Sequence, residues 1–284
     1  MVNLKQVIIF DCNYMCYRAH YSKRGLQTDG VATDVIYGFL SDVAYTYHEL
    51  GFTNASVLFT WDSETSVRKQ MCSSYKANRK NTDDDKDSLY AQIEILKEDI
   101  LPSLGAQCFV QEGLEADDLM SRLALDLYRL SDSVTLVTAD EDLFQMLDVC
   151  NIYNPTKQQF FTADWFQKKY HIQPADWDLV KAVAGCSSDN IKGIEGIGEK
   201  TITKYLAEEL NPNTKAYQKI SSQYFDVVKK NIHLVLLPHA DTKPMWPETF
   251  TKFNEDKFHQ VCKDYDMKSL GRSERTWKRM IQGG

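Results

Sequence analysis

The sequence predicts an α/β fold with a mainly parallel sheet flanked by helices. Three observations carry this: strand-like apolar runs alternate with helical patterns, those runs end in an acid, and strand signals thin out from about Trp177 onward. The first strand is expected over Asn3–Asp11, built on Val7-Ile8-Ile9-Phe10. A helix follows over Asp34–Leu50, because Val35, Phe39, Val43 and Tyr47 recur at helical spacing and Gly51 stops it. The second strand spans Ala55–Trp61 and runs into Asp62. A second helix is predicted over Glu112–Leu130, with Leu119, Leu123, Leu127 and Leu130 on one face. The third strand, Ser133–Ala139, runs into Asp140. Beyond Trp177 helical patterns are broken by Gly-rich and Pro-containing turns, so the chain divides into an α/β domain over residues 1–178 and a helical region over 179–284. The polar stretch around Asp83-Asp84-Asp85 is expected to be a loop.

Composition narrows the class. A chain of 284 residues with 43% apolar content can build a sizeable core. Its longest apolar runs, Val7-Ile8-Ile9-Phe10 and Leu234-Val235-Leu236-Leu237, fall far short of the ~20 residues that span a bilayer. The N-terminus lacks a signal-peptide pattern, so a chain working in the cytoplasm and not in a membrane is expected. Seven scattered cysteines, Cys12, Cys16, Cys72, Cys108, Cys150, Cys186 and Cys262, form no disulfide framework and read as free thiols of a reducing compartment. The net charge of −7 argues against a uniformly basic nucleic-acid module and directs attention to local charge.

Locally, acids gather where chemistry is expected. Ligands of open parallel sheets bind at the carboxyl ends of the strands, so Asp11, Asp62 and Asp140 would converge on one crevice. Asp142 follows Asp140 by two residues, Glu115, Asp117 and Asp118 open a helix, and Asp189 lies near the start of the helical region. Eight such carboxylates cannot share a pocket unneutralised. Mg²⁺ or Mn²⁺, which are hard and prefer oxygen, would neutralise them, and two such ions are a device for phosphodiester hydrolysis. The plainer reading makes each strand-end Asp a turn former or helix cap, and Glu115–Asp118 a complement to a helix dipole. Repetition at three strand ends favours the shared site.

Two further features suit nucleic acid. Arg68, Lys69, Lys76, Arg79 and Lys80 form a basic run interrupted by Tyr75, a pattern fitting single-stranded or frayed DNA, where an aromatic stacks on a base. By itself such a run is usually a solvated face. Gly193-Ile194-Glu195-Gly196-Ile197-Gly198 has the form of a helix–hairpin–helix turn. Glycines let the backbone approach a phosphate, and the following helix, with Lys200 and Thr201, offers its amides. The plainer reading there is an ordinary helix connection.

Five blocks, in order, resemble the 5′ nucleases: phage flap endonucleases, phage 5′ exonucleases and the 5′-nuclease domain of bacterial DNA polymerase I. They are Ile8-Ile9-Phe10-Asp11 with Tyr17-Arg18, then Leu58-Phe59-Thr60-Trp61-Asp62 with Arg68 and Tyr75-Lys76-Ala77-Asn78-Arg79. Glu112-Gly113-Leu114-Glu115-Ala116-Asp117-Asp118 and Val137-Thr138-Ala139-Asp140-Glu141-Asp142-Leu143-Phe144-Gln145-Met146-Leu147 follow. The fifth runs from Lys181 through Asp189-Asn190 to Gly198-Glu199-Lys200-Thr201. The resemblance covers about Val7 to Leu237 and implies a PIN-like domain, a helical arch formed by part of about 66–101, and a helix–hairpin–helix motif at about 189–206.

The same resemblance assigns roles. Asp11, Asp62, Glu115 and Asp117 would serve mainly one metal, and Asp140, Asp142 and Asp189 the other, with Asp117 the candidate shared position and Asp118 in support. Lys76 and Arg79 would sit over the scissile phosphate, and Arg18 and Lys181 would approach substrate phosphates. The hairpin loop would hold a monovalent cation such as K⁺. The implied activity is structure-specific cleavage and 5′→3′ exonuclease action by a monomer on DNA with 5′ flaps, forks or free 5′ ends, extending to RNA–DNA hybrids. Two positions depart from the family pattern. Cys12 replaces the usual Gly after the first Asp, and Cys186 replaces the first acid of the Gly-Asp-x-x-Asp-Asn pattern, here Gly185-Cys186-Ser187-Ser188-Asp189-Asn190. A soft thiol is a poor Mg²⁺ ligand, so a weakened second metal site is expected. A non-catalytic structure-specific DNA-binding protein and a PIN-type ribonuclease are the competing classes.

Overall fold

In the computed structural model, which describes residues 4–52, 55–78, 86–247 and 252–282, one six-stranded sheet organises the chain. Its strands are β1 (Leu4–Asp11), β2 (Ala55–Thr60), β3 (Gln107–Phe109), β4 (Ser131–Val137), β5 (Asn151–Asn154) and β6 (Gln159–Phe161). Their spatial order is β3-β2-β1-β4-β5-β6. All neighbours pair in parallel except β5 with β6. The chain starts in the middle of the sheet and grows first to one side, then to the other. The reversal between β1 and β4 creates the crevice in which parallel sheets hold their ligands. The three predicted strands are present, whereas the short β3, β5 and β6 carry too few residues to show a periodicity.

Alternation along the strands divides the core in two. Ile8, Phe10, Val57 and Phe59 face one layer: α1 (Cys12–Lys23), α2 (Asp34–Glu49) and α4 (Lys86–Glu94), which continues through a π-helical stretch (Ile95–Ile100). Val7, Ile9, Leu58 and Leu136 face the other, where α5 (Ala116–Leu127) presents Leu119, Leu123 and Leu127. The predicted helix over Glu112–Leu130 is thus shorter at both ends. Glu115 is its N-cap, Gly113 turns with a positive φ, and Leu130 is exposed.

On the α5 side lies the short α3 (Val67–Met71), which precedes Tyr75 and Lys76. Leu89, Ile93, Leu96 and Ile100 are buried in the same core cluster as the α2 residues, so this part of the arch segment at 66–101 is core. Arg79, Lys80 and the Asp83–Asp85 loop lie outside the described residues. Toward the C-terminus come α6 (Ala163–Tyr170), α7 (Trp177–Ala184), α8 (Glu199–Leu206) and the long α9 (Lys215–Val235), packed beside the α5 layer. The last helices, α10 (Glu255–Asp264) and α11 (Glu274–Gln282), return to the opposite face. There Trp277 stacks on Phe59 with ring centroids 6.3 Å apart and 13° between planes. The segments 1–178 and 179–284 therefore share a core. Among the described residues, no helix is long and apolar enough to cross a membrane.

Candidate catalytic centre

The strand ends place the acids as the topology requires. Asp11 ends β1, Asp62 and Asp140 lie just beyond β2 and β4, and each also closes a helix start. Asp11 Oδ1 accepts the Tyr14 N–H at 2.9 Å, Asp62 Oδ1 accepts the Ala116 N–H at 2.8 Å, and Asp140 Oδ1 accepts the Asp142 N–H at 2.8 Å. The Thr138 hydroxyl donates to Asp11 Oδ2 at 2.9 Å. Capping and a shared crevice are therefore not alternatives at these residues, since a helix start at a strand end holds the carboxylate in place.

Burial, and after it the repulsion among these acids, shows in their proton affinity. Desolvation, with Asp62 and Asp140 nearby, pushes Asp11 up to about 7. The protein packed around its carboxylate, with Asp142 beside it, pushes Asp140 up to about 6, although the residue reaches solvent. Burial and the adjacent Asp118 and Glu115 hold Asp117 well above the ordinary carboxylate range. Each shift reflects negative charge lacking sufficient compensation.

Two ammonium groups stand among these carboxylates. Lys76, at φ +54°, places Nζ 2.8 Å from Glu115 Oε1. Burial opposes its charge, but Glu115, Asp117 and Asp189 outweigh that and hold it above the ordinary lysine value. Lys181 Nζ lies 2.7 Å from Asp142 and 2.9 Å from Glu199. Glu199 was not among the sequence candidates; its signal is its place as the first residue of α8, directly after Gly198. Asp189 joins the group from the loop after α7, where its carbonyl accepts the Lys76 N–H at 2.8 Å. Among the described residues, no three His, Cys, Asp or Glu side chains are close enough to hold a metal ion as placed. The donor chemistry nevertheless fits hard divalent cations: carboxylate oxygens dominate, and several are raised for want of positive charge.

Several sequence candidates are corrected. Arg68 does not face a phosphate. Its side chain is 1% exposed and forks onto Asp118 at 2.5 and 2.8 Å, while Nε donates to the Leu234 carbonyl at 3.1 Å. Asp118 is consequently no free metal ligand: it is fully buried and also accepts the His239 N–H at 2.7 Å. Tyr75 offers no stacking surface, because it is buried and its hydroxyl donates to Glu115 Oε2 at 2.9 Å. Arg18 is ion-paired with Asp42 on α2. Lys181 faces acids, as described. Gly193 is required for packing, since a Cβ there would lie 2.2 Å from the Val183 carbonyl oxygen. Gly196, at φ +77°, and Gly198 instead face open space beside the exposed Lys200, with Thr201 one residue further into α8. Cys186 pairs with Ile191 in a two-residue ladder, and its thiol contacts the Ser188 hydroxyl at 3.0 Å.

Comparison with known proteins identifies the family and the fold. The family model described as "5'-3' exonuclease, N-terminal resolvase-like domain" matches residues 6–171. Thermostable DNA polymerase I of Thermus thermophilus is 32% identical over 205 residues, 72% of this chain but 24% of that protein. DNA polymerase I of Mycobacterium bovis is 32% identical over 93% of this chain and 31% of its own length. The chain thus spans about a quarter to a third of these relatives. Among solved structures, the bacteriophage T5 flap endonuclease in a pseudo-enzyme-product complex with DNA and metal ions superposes with a TM-score of 0.66 at 20% identity, covering 98% of this chain and 99% of that one. The catalytic core of Rad2 in complex with DNA substrate superposes with a TM-score of 0.61 at 14% identity, covering 99% and 94%. At these identities the two superpositions establish a shared fold.

Proposed function

Because this chain belongs to the 5′-3′ exonuclease family by its N-terminal resolvase-like domain, we propose that it is a structure-specific 5′ nuclease that hydrolyses DNA phosphodiesters. The observation that carries this reading is the convergence of carboxylates from three parallel strand ends, a helix start and the Asp189 loop beside the cationic Lys76. The proposed substrates are DNA flaps, forks and free 5′ ends, with RNA–DNA hybrids included, and the proposed form is a cytoplasmic monomer.

Asp11, Asp62, Glu115 and Asp117 would hold one divalent cation, Mg²⁺ or Mn²⁺, and Asp140, Asp142 and Asp189 the second. When bound, the ions supply Lewis-acid stabilisation of charge on the phosphate and lower the pKa of the attacking water. Lys76 is proposed to leave Glu115 for the scissile phosphate and meet the charge that develops there, with Arg79 in the same role. Lys181, held by Asp142 and Glu199, is the corresponding cation on the second side. The open backbone at Gly196 and Gly198 would approach duplex phosphates without reading sequence, with Lys200 beside it, and the turn would accept K⁺. With Cys186 in place of an acid, the second site would bind Mg²⁺ weakly and respond better to Mn²⁺.

A labelled 5′-flap duplex, titrated with Mg²⁺ and separately with Mn²⁺, tests this. Wild type should cut near the junction, while Asp117→Asn should lose at least about a hundredfold in rate, as expected when charge stabilisation is removed. Cys186→Asp should lower the Mg²⁺ concentration needed. Binding without cleavage in either metal would instead identify a structure-specific DNA-binding protein.

A further inference from the structure

The segment that carries Lys76 does not stand free over the crevice. Tyr75 is buried in a small apolar cluster with Ala182 and Ile191, from α7 and the loop after it, and with Leu234 and Val235 at the end of α9. Around that anchor the segment and the loop exchange three hydrogen bonds. The Lys76 N–H donates to the Asp189 carbonyl at 2.8 Å. The Asn190 amide Nδ2 donates to the Ser74 carbonyl at 2.8 Å, and the Asn78 amide Nδ2 donates to the Ser187 carbonyl at 2.6 Å. The pattern is reciprocal, each strand of chain supplying a side-chain donor to the other's backbone. Lys76 at φ +54° and Asn190 at φ +57° both lie in the left-handed region, which non-glycine residues hold only when surrounding contacts fix them.

The loop itself is anchored from behind. Asn231 of α9, 2% exposed, donates through Nδ2 to the carbonyls of Ala182 at 2.8 Å and Lys192 at 3.0 Å. Gly185 and Gly193 meet so closely that a Cβ on Gly185 would lie 2.4 Å from Gly193 N. The loop is therefore the fixed partner, and segment 72–78 seats against it.

We propose that Asn78 and Asn190 form a clip that delivers Lys76 and Asp189 to the centre as one unit, making both asparagines positioning residues for the reaction. Among the described residues, the Nδ2 groups of both asparagines donate to backbone carbonyls, so each acts through the backbone it holds. This rests on the nuclease reading for its kinetic consequence, but not for its structural one. Misplacing a reacting group by about 1 Å can cost on the order of a hundredfold, so releasing one side of the clip should lower kcat while leaving duplex binding to the hairpin region unchanged.

The test compares wild type with Asn78→Ala, Asn190→Gly and the double variant; glycine at 190 keeps the left-handed backbone without strain. Amide hydrogen exchange read by mass spectrometry should show faster exchange across residues 72–78 in each variant, with the α9 peptide unchanged. On the 5′-flap substrate, kcat should fall by about ten- to a hundredfold with KM within about twofold. The double variant should fall no further than the worse single, since one clip is broken either way. Unchanged exchange across 72–78, or faster exchange with an unchanged kcat, would overturn the proposal. If wild type cuts nothing, the nuclease reading fails, and the clip stands or falls on exchange alone.

Discussion

A buried guanidinium is tolerated only where acceptors meet its donors, and Arg68 meets this condition by holding Asp118, Leu234 and Leu236 together. Asp118 in turn accepts the backbone N–H of His239 and, at 3.3 Å, that of Glu115. Arg68→Met leaves this carboxylate buried without its cation, which should destabilise by about 3–5 kcal/mol in urea unfolding. Arg68→Met combined with Asp118→Asn should cost less than the sum of the two single changes, because the stranded charge is gone. The salt dependence of DNA affinity should be the same in a folded Arg68 variant as in wild type, since no phosphate contact is lost. A slope reduced by about one would return Arg68 to the nucleic-acid face. This residue marks a limit of reading charge from sequence: Arg68 and Lys76 sit in one basic run, yet one is core and the other lines the crevice. The strand-end acids were legible because strand polarity alone fixes where Asp11, Asp62 and Asp140 emerge.

Elements explain why the two halves of the Gly-rich turn differ. Gly193 is pressed against the end of α7, where a Cβ would meet Val183 and Ala184 backbone atoms at 2.2–2.4 Å. Gly196 needs its freedom for φ +77° alone, with nothing within 4 Å of a Cβ. Gly196→Ala should therefore cost about 1–2 kcal/mol, the left-handed penalty of a residue with a Cβ, whereas Gly193→Ala must shift the loop that carries Asp189. Urea midpoints and duplex affinity by fluorescence anisotropy separate the two: Gly193→Ala should lose more stability, and its loss of cleavage should exceed its loss of binding. Equal effects at both glycines would mean that the loop is not braced by α7. The motif was legible as a turn. Its division into a packing glycine and an open one was not, because that depends on α7, whose end lies some residues earlier in the chain.

At the scale of the whole molecule, the C-terminal helices decide how the chain unfolds. Lys268, Arg272, Arg275, Lys278 and Arg279 make the end look like a solvated basic surface, and Arg275, Lys278 and Arg279 of α11 do face outward. The same helix carries Trp277, Met280 and Ile281 at spacings that share one face, all buried against Phe59 and the α2 layer. That periodicity was present in the sequence, but the partner surface was not, because it lies on strands more than 200 residues earlier. A split into units at 1–178 and 179–284 would predict two unfolding transitions. The shared core predicts one, since removing α11 uncovers β2, which pairs directly with the central strand β1. Trp277→Ala should cost about 3–5 kcal/mol, the range for truncating a buried aromatic, and should lower far-UV circular dichroism and tryptophan fluorescence midpoints together. If the fluorescence transition moved alone, with the sheet unfolding at its original midpoint, α11 would be a separable cover and the layered core would end at α9.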